Sequence, residues 1–592
     1  MPTRKGRKTA AEQPASGDLA GLFERGLRAG AKVVGHELRK LSGKEFALID
    51  RAGVAKTFAK LGARLLAEPE RLVEVQADFI QRNTDLWRQF TDGGEAPKDT
   101  VQDRRFKDRA WSEDPRFRFL RDAYLTNADW LRRAVERADG LEPGEKRKAR
   151  FYTRQIINAL APTNFALTNP QALKRARETA GDSLVEGLKH LIGDLEKGDG
   201  RLAISQTDEA PFVLGRNVAT TPGKVVYQND LIQLIQYEPT TAKVYKRPLL
   251  FVPPWINKYY ILDLRPENSF IRYMLDKGHT LFVISWVNPQ KRHAGKSFEH
   301  YMREGPLAAI EVVQEITGET ELNLGGFCIG GILSVCTLAW LAAGRKKSPI
   351  KSATLLATMV DLKEIGETSV FIDEDQLEQI AQHAAQTGYL EGHHLVEMFS
   401  MLRENDLIWN YVVNNYLMGR DPMAFDMLYW NSDATRLPAA MLLFYLRHLY
   451  MENALAEPGL IDLDDRPIDV RAIETPCYML STREDHIAPW TSSYPATRRF
   501  AGPMRFVLGE SGHIAGVVNP PARKKYGYWT RKDYPEDPLD WLEGADHKTG
   551  SWWPDWARWI APHGGPKVAA RRVGSNAHPP IEDAPGSYVL GK

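Results

Sequence analysis

Two kinds of hydrophobic periodicity divide the chain. Through residues 19–205, apolar side chains recur every three or four positions, which is the period of an amphipathic helix. Val75, Phe79 and Leu86, for example, fall on one helical face. Segments that contain glycine, proline and aspartate interrupt the pattern, as helix ends require. We therefore predict a mostly helical N-terminal domain over residues 19–205.

From residue 206 to 562, short apolar runs alternate with helix-length stretches. This alternation predicts a mostly parallel sheet with helices on both faces. The alternation is interrupted once, over residues 358–476, by a long segment rich in helix formers, aromatic residues and leucine. We interpret this segment as a cap inserted above the carboxyl edge of the sheet. The predicted strands are 231–235, 249–252, 281–284, 322–326, 353–357, 478–480 and 504–508.

Composition limits the protein class and its surroundings. A chain of 592 residues with 43% hydrophobic and 26% charged residues is typical of a soluble protein with more than one core. We expect residues 1–18 to be a disordered basic tip and residues 563–592 to be a poorly ordered tail. The net charge of +2 gives no reason to expect a nucleic acid partner. Three cysteines favour a reducing cytoplasm, and no apolar stretch is long enough for a transmembrane segment.

The end of the predicted strand 322–326 carries the most informative motif. Gly326-Phe327-Cys328-Ile329-Gly330 has the form of G-x-S-x-G, the nucleophile elbow of the α/β-hydrolase fold, with cysteine in place of serine. The sequence therefore predicts an α/β-hydrolase fold with a cap insertion, preceded by the helical domain. A thiol nucleophile favours acyl transfer through a thioester over simple hydrolysis.

Two further residues follow later strands in the order that this fold requires, which is nucleophile, acid, histidine. Asp485 comes just after the strand 478–480, and His513 just after 504–508. Open α/β sheets place their active sites at these strand ends. We predict a triad of Cys328, His513 and Asp485. His486 competes for the role of base, but it directly follows Asp485 and so points elsewhere, and we assign it a supporting role.

The tetrahedral oxyanion of acyl transfer needs two backbone donors. The amide of Ile329, next to the nucleophile, is one predicted donor. The amide of Ile256, in the loop after strand 249–252, is the other predicted donor, and the alternative is that this loop is simply a rigid Pro-Pro turn. The pair His393-His394 lacks further ligand spacing, so no metal or cofactor is expected.

Beyond the elbow, the sequence resembles the poly(3-hydroxyalkanoate) synthases, most closely the class I, single-subunit type that favours short-chain monomers. The resemblance covers roughly residues 106–559. The stretches that carry it are DRRFKD at 103–108, PTNFALTNP at 162–170, PPWINKYYILDL at 253–264, GGFCIGG at 325–331, NDLIWNY at 405–411, YWNSDAT at 429–435 and GSWWPDW at 550–556.

The resemblance implies a function and assigns roles. It places the family nucleophile on Cys328, its aspartate on Asp485 and its histidine on His513, and it places a tryptophan associated with dimer contact or cap behaviour on Trp430. It implies polymerisation of (R)-3-hydroxyacyl-coenzyme A, expected to be 3-hydroxybutyryl-coenzyme A, with release of coenzyme A. It also implies a homodimer that works in the cytoplasm at the surface of polymer granules, where granule-associated proteins are further partners. Trp255 departs from the family, because some relatives have a smaller residue there.

Several alternatives remain open at this point. The same triad would serve a thioesterase or polyester depolymerase, and a non-catalytic granule-coat protein is a more distant possibility. Either Asp485 acts as general base for the 3-hydroxyl of the next acyl group, or it only orients His513. The N-terminal helices either brace the catalytic sheet or bind the granule or partner proteins.

Overall fold

A computed structural model of the chain describes residues 16–41, 46, 51–67, 69–91, 102–138, 140–344 and 346–591. Most of the predicted basic tip, residues 1–15, lies outside the described residues. The α-helices are α1 Ser16–Leu41, α2 Arg51–Ala67, α3 Pro69–Thr91, α4 Ala110–Glu113, α5 Pro115–Arg137, α6 Pro143–Ala159, α7 Pro170–Glu178, α8 Asp182–Lys197, α9 Phe270–Asp276, α10 Phe298–Met302, α11 Ala308–Thr317, α12 Ile329–Ala342, α13 Glu374–Thr387, α14 Gly392–Leu402, α15 Asp426–Ser432, α16 Ala439–Phe444, α17 Trp490–Ser493, α18 Ala496–Arg499, α19 Pro538–Glu543 and α20 Trp553–Ile560.

Shorter helical turns and the strands complete the secondary structure. The 3₁₀ turns are Arg104–Phe106, Pro162–Asn164, Tyr259–Leu262, Pro266–Asn268, Lys291–His293, Gly366–Phe371, Ala454–Ala456, Val470–Ala472, Pro521–Arg523 and Ala561–Gly564, and the π-helical segments are Arg303–Leu307, Asn405–Trp409, Val412–Leu417 and Tyr445–Met451. The strands are β1 Gly223–Gln228, β2 Ile232–Tyr237, β3 Lys243–Tyr245, β4 Leu249–Val252, β5 Leu281–Trp286, β6 Leu322–Phe327, β7 Ile350–Leu356, β8 Tyr389–Leu390, β9 Leu437–Pro438, β10 Asp462–Leu463, β11 Arg466–Pro467, β12 Cys477–Thr482, β13 Met504–Gly509, β14 Gly527–Thr530, β15 Asp546–Thr549, β16 Lys567–Ala569 and β17 Glu582–Asp583.

An 11-stranded sheet organises the catalytic part, in the order β15-β14-β13-β12-β7-β6-β4-β5-β2-β1-β17. The central run from β13 to β5 is parallel, and the strands beyond it on both sides are antiparallel. Strands β4, β5, β6 and β12 are buried along their whole length, because helices cover both faces. This burial explains why their sequences are continuous apolar runs rather than alternating ones.

All seven predicted strands overlap strands of this sheet, and 249–252 matches β4 at both ends. The sequence did not indicate the antiparallel edges. In β15, for example, all the side chains are exposed, so no apolar run marks it. The strand predicted at 231–235 is β2, which runs antiparallel to β5 and not parallel to it.

The tail from residue 563 was expected to be poorly ordered, and the structure corrects this. Strand β16 pairs with β3, and β17 pairs with β1 at the edge of the main sheet. Val589 is 1% exposed, and Gln233 Nε2 donates a 2.9 Å hydrogen bond to Ser587 Oγ. The prolines and glycines of the tail form turns between short paired segments, and composition alone cannot distinguish such turns from disorder.

The N-terminal helices have both buried and exposed apolar faces. Helix α6 packs against the cap, where Phe151 meets the ring of Phe371 at 5.3 Å between centroids. By contrast, Leu27 and Val34 of α1 are 60% and 58% exposed. Among the described residues, no helix combines the length and apolar character that a membrane span needs.

Candidate active site

The predicted elbow lies at the centre of the sheet, between β6 and α12. Cys328 has φ 54° and ψ −124°, a region that costs a non-glycine residue roughly 1–3 kcal/mol. Its amide donates a 2.8 Å hydrogen bond to the carbonyl of Leu356 on the neighbouring strand, which holds the turn in place. Of the three cysteines, all of which the structure describes, Cys328 alone is partly exposed, and Cys336 and Cys477 are buried.

Two glycines of the motif lie so close to neighbouring atoms that a side chain would not fit. A Cβ atom at Gly330 would overlap the carbonyl oxygens of Val252, the last residue of β4, and of Pro253, which follows it. A Cβ at Gly326 would lie 2.6 Å from the hydroxyl of Ser334. The helix start therefore packs directly on the strand-end loop that was predicted to carry the second oxyanion donor.

His513 and Asp485 meet at the same edge of the sheet. His513 Nδ1 and Asp485 Oδ2 are 2.6 Å apart, and both side chains are almost fully buried. The ring of Phe327 stacks on the imidazole with 5.5 Å between centroids. The residues of the predicted triad thus lie at the carboxyl ends of the parallel strands β6, β12 and β13.

The electrostatics of His513 fit a base that serves a thiol. Burial by itself lowers the pKa of His513, but the negative charges of Asp485 and Cys328, and hydrogen bonds to both side chains, raise the pKa well above its ordinary value. The protonated imidazole is therefore stabilised between the carboxylate and the sulfur.

Every oxygen of Asp485 is engaged. Its Oδ1 accepts hydrogen bonds from the amides of Ile487 and Ala488, at 2.9 and 2.8 Å. Its Oδ2 accepts from the Thr482 hydroxyl at 3.2 Å as well as contacting His513. The side chain has no solvent exposure. This geometry suits a carboxylate that orients the imidazole.

His486 occupies a different environment from His513. Burial lowers its pKa to about 4, despite the nearby charge of Asp485. Its Nδ1 has no hydrogen-bond partner among the described residues. The contact of Asp485 with His513, and the lack of a partner for Nδ1 of His486 among the described residues, favour His513 as the base of the triad.

The two predicted oxyanion donors lie on the two segments that meet at Gly330. Ile329 is the first residue of α12, so its amide has no intrahelical acceptor. The loop with Ile256 is anchored by Trp255, which is 2% exposed and packs on Trp286 and Tyr301. Trp255 thus belongs to the core and fixes how the loop is packed.

Trp430 lies inside the molecule. It is 4% exposed, and its Nε1 donates a 2.7 Å hydrogen bond to the carbonyl of Lys258. The Lys258 ammonium pairs with Asp433 at 2.7 Å, and its side chain is 4% exposed. These contacts tie the cap to the loop after β4.

Sequence reasoning missed two cap tyrosines beside the nucleophile. Tyr445 and Tyr450 lie in the π-helical segment Tyr445–Met451, with 3.3 Å between their hydroxyls. Burial raises the pKa of Tyr450, and the charges of Cys328 and Asp485 raise it further. Both phenols therefore stay protonated next to the triad. Their spacing of five residues matches neither a regular helix nor a strand, so the pattern gave no signal.

The described residues contain one cluster that could hold a metal, and it lies in the cap segment. Its ligand atoms, from His383, Glu391 and His394, all lie within 4.8 Å of one another. His383 Nε2 and Glu391 Oε2 already form a 2.7 Å hydrogen bond. The cluster includes one of the two histidines that sequence reasoning had set aside, together with Glu391 one helical turn before it and His383 on the preceding helix.

Comparison with known families agrees with this arrangement. Residues 102–274 match the family model described as the poly-beta-hydroxybutyrate polymerase (PhaC) N-terminus. Residues 248–520 match the family model of the alpha/beta hydrolase fold, so the predicted fold class is confirmed.

Similar proteins extend over nearly the whole chain. The poly(3-hydroxyalkanoate) polymerase subunit PhaC of Rhizobium etli is 45% identical over 92% of this chain and 87% of the relative. The protein of the same name from Rhizobium meliloti is 46% identical, with 90% and 88% covered. That of Cupriavidus necator is 44% identical, with 88% and 89% covered.

Proposed function

The chain belongs to the poly(3-hydroxyalkanoate) polymerase family, and from that membership we propose that it polymerises (R)-3-hydroxyacyl-coenzyme A with release of coenzyme A. That it is an enzyme polymerising hydroxyalkanoates follows from the family itself. The substrate, expected to be 3-hydroxybutyryl-coenzyme A, and the covalent route are the proposal. The observation that carries the route is Cys328 on the elbow with His513 and Asp485 behind it.

In the first step, His513 takes the proton of the Cys328 thiol, and the thiolate attacks the carbonyl carbon of the substrate thioester. The amides of Ile329 and Ile256 stabilise the oxyanion that forms. Collapse of this intermediate breaks the bond to coenzyme A, whose sulfur takes the proton back from His513. Exchange of one thioester for another is nearly isoenergetic, so the acyl-enzyme keeps its transfer potential.

In the second step, the 3-hydroxyl of an acyl group attacks the carbonyl carbon of a thioester and extends the chain. The new ester bond replaces the carbon–sulfur bond, and the departing thiolate takes the proton that the hydroxyl has lost. We assign its deprotonation to His513 and not to Asp485. The carboxylate is fully buried and already accepts hydrogen bonds from two amides and a hydroxyl besides contacting the imidazole. It therefore orients His513.

The site must exclude water, because a hydrolysed intermediate ends the polymer. The cap supplies Tyr445, which is buried, and Tyr450, which is partly buried, beside the sulfur. Closing such a site over the acyl group protects it from hydrolysis. This arrangement favours polymerisation over the hydrolase alternative.

We also propose that the protein works in the cytoplasm at the surface of polymer granules. The exposed apolar side chains of α1, including Phe23 and Leu27 at 70% and 60% exposure, suit contact with an apolar surface. The homodimer that the family resemblance implies stays a prediction.

The covalent route is tested with a saturated acyl-coenzyme A that lacks the 3-hydroxyl and cannot be extended. Mass spectrometry of the digested protein is expected to show the acyl group on the peptide containing Cys328. An acyl group elsewhere, or none, would refute the route. With 3-hydroxybutyryl-coenzyme A, insoluble polymer supports the polymerase, whereas free 3-hydroxybutyrate alone would indicate a hydrolase.

A further inference from the structure

One cap segment, Trp430 to Thr435, lies along the loop that carries the second predicted oxyanion donor. We call the contacts between this segment and the loop from Trp255 to Lys258 the clasp. They comprise a backbone bridge, side-chain hydrogen bonds to backbone carbonyls at both ends of the loop, and an ion pair. The contacts join Thr435 to Trp255, Thr435 to Ile256, Ala434 to Asn257, Trp430 to Lys258 and Asp433 to Lys258.

The contacts of Thr435 determine where one peptide group points. The Thr435 hydroxyl donates a hydrogen bond to the carbonyl of Trp255, and its amide donates one of 3.1 Å to the carbonyl of Ile256. The carbonyl of Trp255 and the amide N–H of Ile256 belong to the same planar trans peptide, so they point in opposite directions. Holding the carbonyl towards Thr435 therefore aims the N–H of Ile256 away from the clasp.

The other end of the loop is held by charge. The Lys258 ammonium and Asp433 Oδ1 are 2.7 Å apart, with side chains 4% and 22% exposed. Asp433 Oδ2 also accepts a 2.9 Å hydrogen bond from the hydroxyl of Tyr260. The indole of Trp430 donates to the Lys258 carbonyl at 2.7 Å. The loop is thus fixed on both sides of Ile256.

We propose that Thr435 is a positioning residue of the polymerase, because its hydroxyl aims the Ile256 amide at the oxyanion. This inference rests on the proposed acylation of Cys328. In this proposal the cap positions an oxyanion donor in addition to covering the site. It also requires that any opening of the cap leave residues 430–435 in place, since moving them would release the oxyanion loop.

The test compares Thr435→Val, which removes the hydroxyl while keeping the shape, with Thr435→Ser, which keeps the hydroxyl. Each variant is acylated with the non-extendable saturated acyl-coenzyme A, and the rate at saturating substrate is measured. Loss of one oxyanion donor costs about 10²–10³-fold in rate, so a misaimed donor is expected to cost about 10–100-fold. Thr435→Ser is expected to restore most of the rate, and KM should change little.

Alkylation of Cys328 by iodoacetamide provides a second readout, because displacement of iodide forms no oxyanion. Thr435→Val should react with iodoacetamide at nearly the wild-type rate. A matched control is Thr337→Val. It removes another buried hydroxyl, which donates a 2.7 Å hydrogen bond to the backbone carbonyl of Leu333. This control should keep both rates.

Unchanged acylation in Thr435→Val would overturn the inference. Equal slowing of acylation and alkylation would also overturn it, since the nucleophile itself would then be disturbed. A wild-type protein that alkylates on Cys328 but never acylates there would instead refute the proposed function, and the inference with it.

Discussion

The sheet edge and the cap contribute to the site in different ways. In the proposed mechanism the sheet supplies the reacting groups, because Cys328, Asp485 and His513 follow three parallel strands whose registers are fixed by their ladders. In the same proposal the cap supplies side chains that position or cover the reacting groups, such as Thr435 and Tyr445. Regular strands therefore position the proposed catalytic residues, and an insertion with π-helical turns adds the contacts that orient and cover them.

The largest expected effect tests the sheet side of this comparison. Cys328→Ala removes the nucleophile, and loss of a nucleophile of this kind costs at least about 10⁴-fold in kcat. The loss is measured as the rate at which coenzyme A is released from 3-hydroxybutyryl-coenzyme A, followed with a reagent that detects free thiols. Cys336→Ala is the matched control, because that thiol is buried in α12 and burial raises its pKa to about 12. If the Cys328→Ala variant kept more than a hundredth of the activity, the elbow would not carry the reaction.

Asp485→Asn tests the contribution of the carboxylate that contacts His513. The substitution keeps the shape but removes the charge behind His513, and a comparable change in a serine triad costs about 10⁴-fold in kcat. We expect a loss of roughly 10³–10⁴-fold in kcat with little change in KM. Thr482→Val, which removes a weaker 3.2 Å contact to the same carboxylate, should cost far less. A variant with normal kcat would show that the carboxylate is dispensable.

Asp485→Asn is also expected to change how the stability of the fold depends on pH. The folded-state pKa of His513 is raised, chiefly by Asp485 acting against burial. Protonated His513 therefore stabilises the fold below its unfolded-state pKa, and this stability is lost as pH rises through the higher folded-state pKa. In Asp485→Asn the pKa should fall, so this part of the pH dependence should disappear. Urea unfolding at several pH values, with NMR titration of the histidines, measures both changes.

Within the sheet edge, the contact between the elbow and the loop after β4 can be broken at one glycine. A side chain at Gly330 would push the start of α12 away from the carbonyls of Val252 and Pro253. Since a misplacement of about 1 Å at an active site costs about 10²-fold, Gly330→Ala is expected to lower kcat by about that factor. Gly295→Ala is the control, because nothing lies within 4 Å of the added methyl. A fully active Gly330→Ala variant would mean that the elbow and the oxyanion loop need not touch.

The same contrast explains what could be predicted from sequence. The positions of Cys328 and His513 just after β6 and β13 could be predicted, because strand ends and their order along the chain are local signals. Thr435 was not, because it contacts Trp255 across 180 residues and no local pattern marks that contact. The tail pairing of β16 with β3 was likewise hidden, because short strands with Pro-rich flanks resemble disorder. Local periodicity therefore revealed the sheet, while the contacts of the cap required the folded chain.

The smallest expected effect tests whether the contact between the cap and α6 contributes to stability rather than to catalysis. Glu404 of the cap is 3% exposed and accepts hydrogen bonds from Arg154 at 3.0 Å and Asn158 at 2.6 Å, both on α6. Glu404→Gln removes the charge from this contact and is expected to lower the unfolding free energy by about 1–3 kcal/mol, as measured in urea. Because Glu404 lies outside the clasp, kcat should fall by less than about threefold, a change equivalent to about 0.7 kcal/mol. Glu374→Gln is the control, since its pair with Arg447 is exposed and worth about 0–1 kcal/mol. A large loss of kcat with unchanged stability would place Glu404 among the positioning groups and extend the catalytic role of the cap to the N-terminal domain.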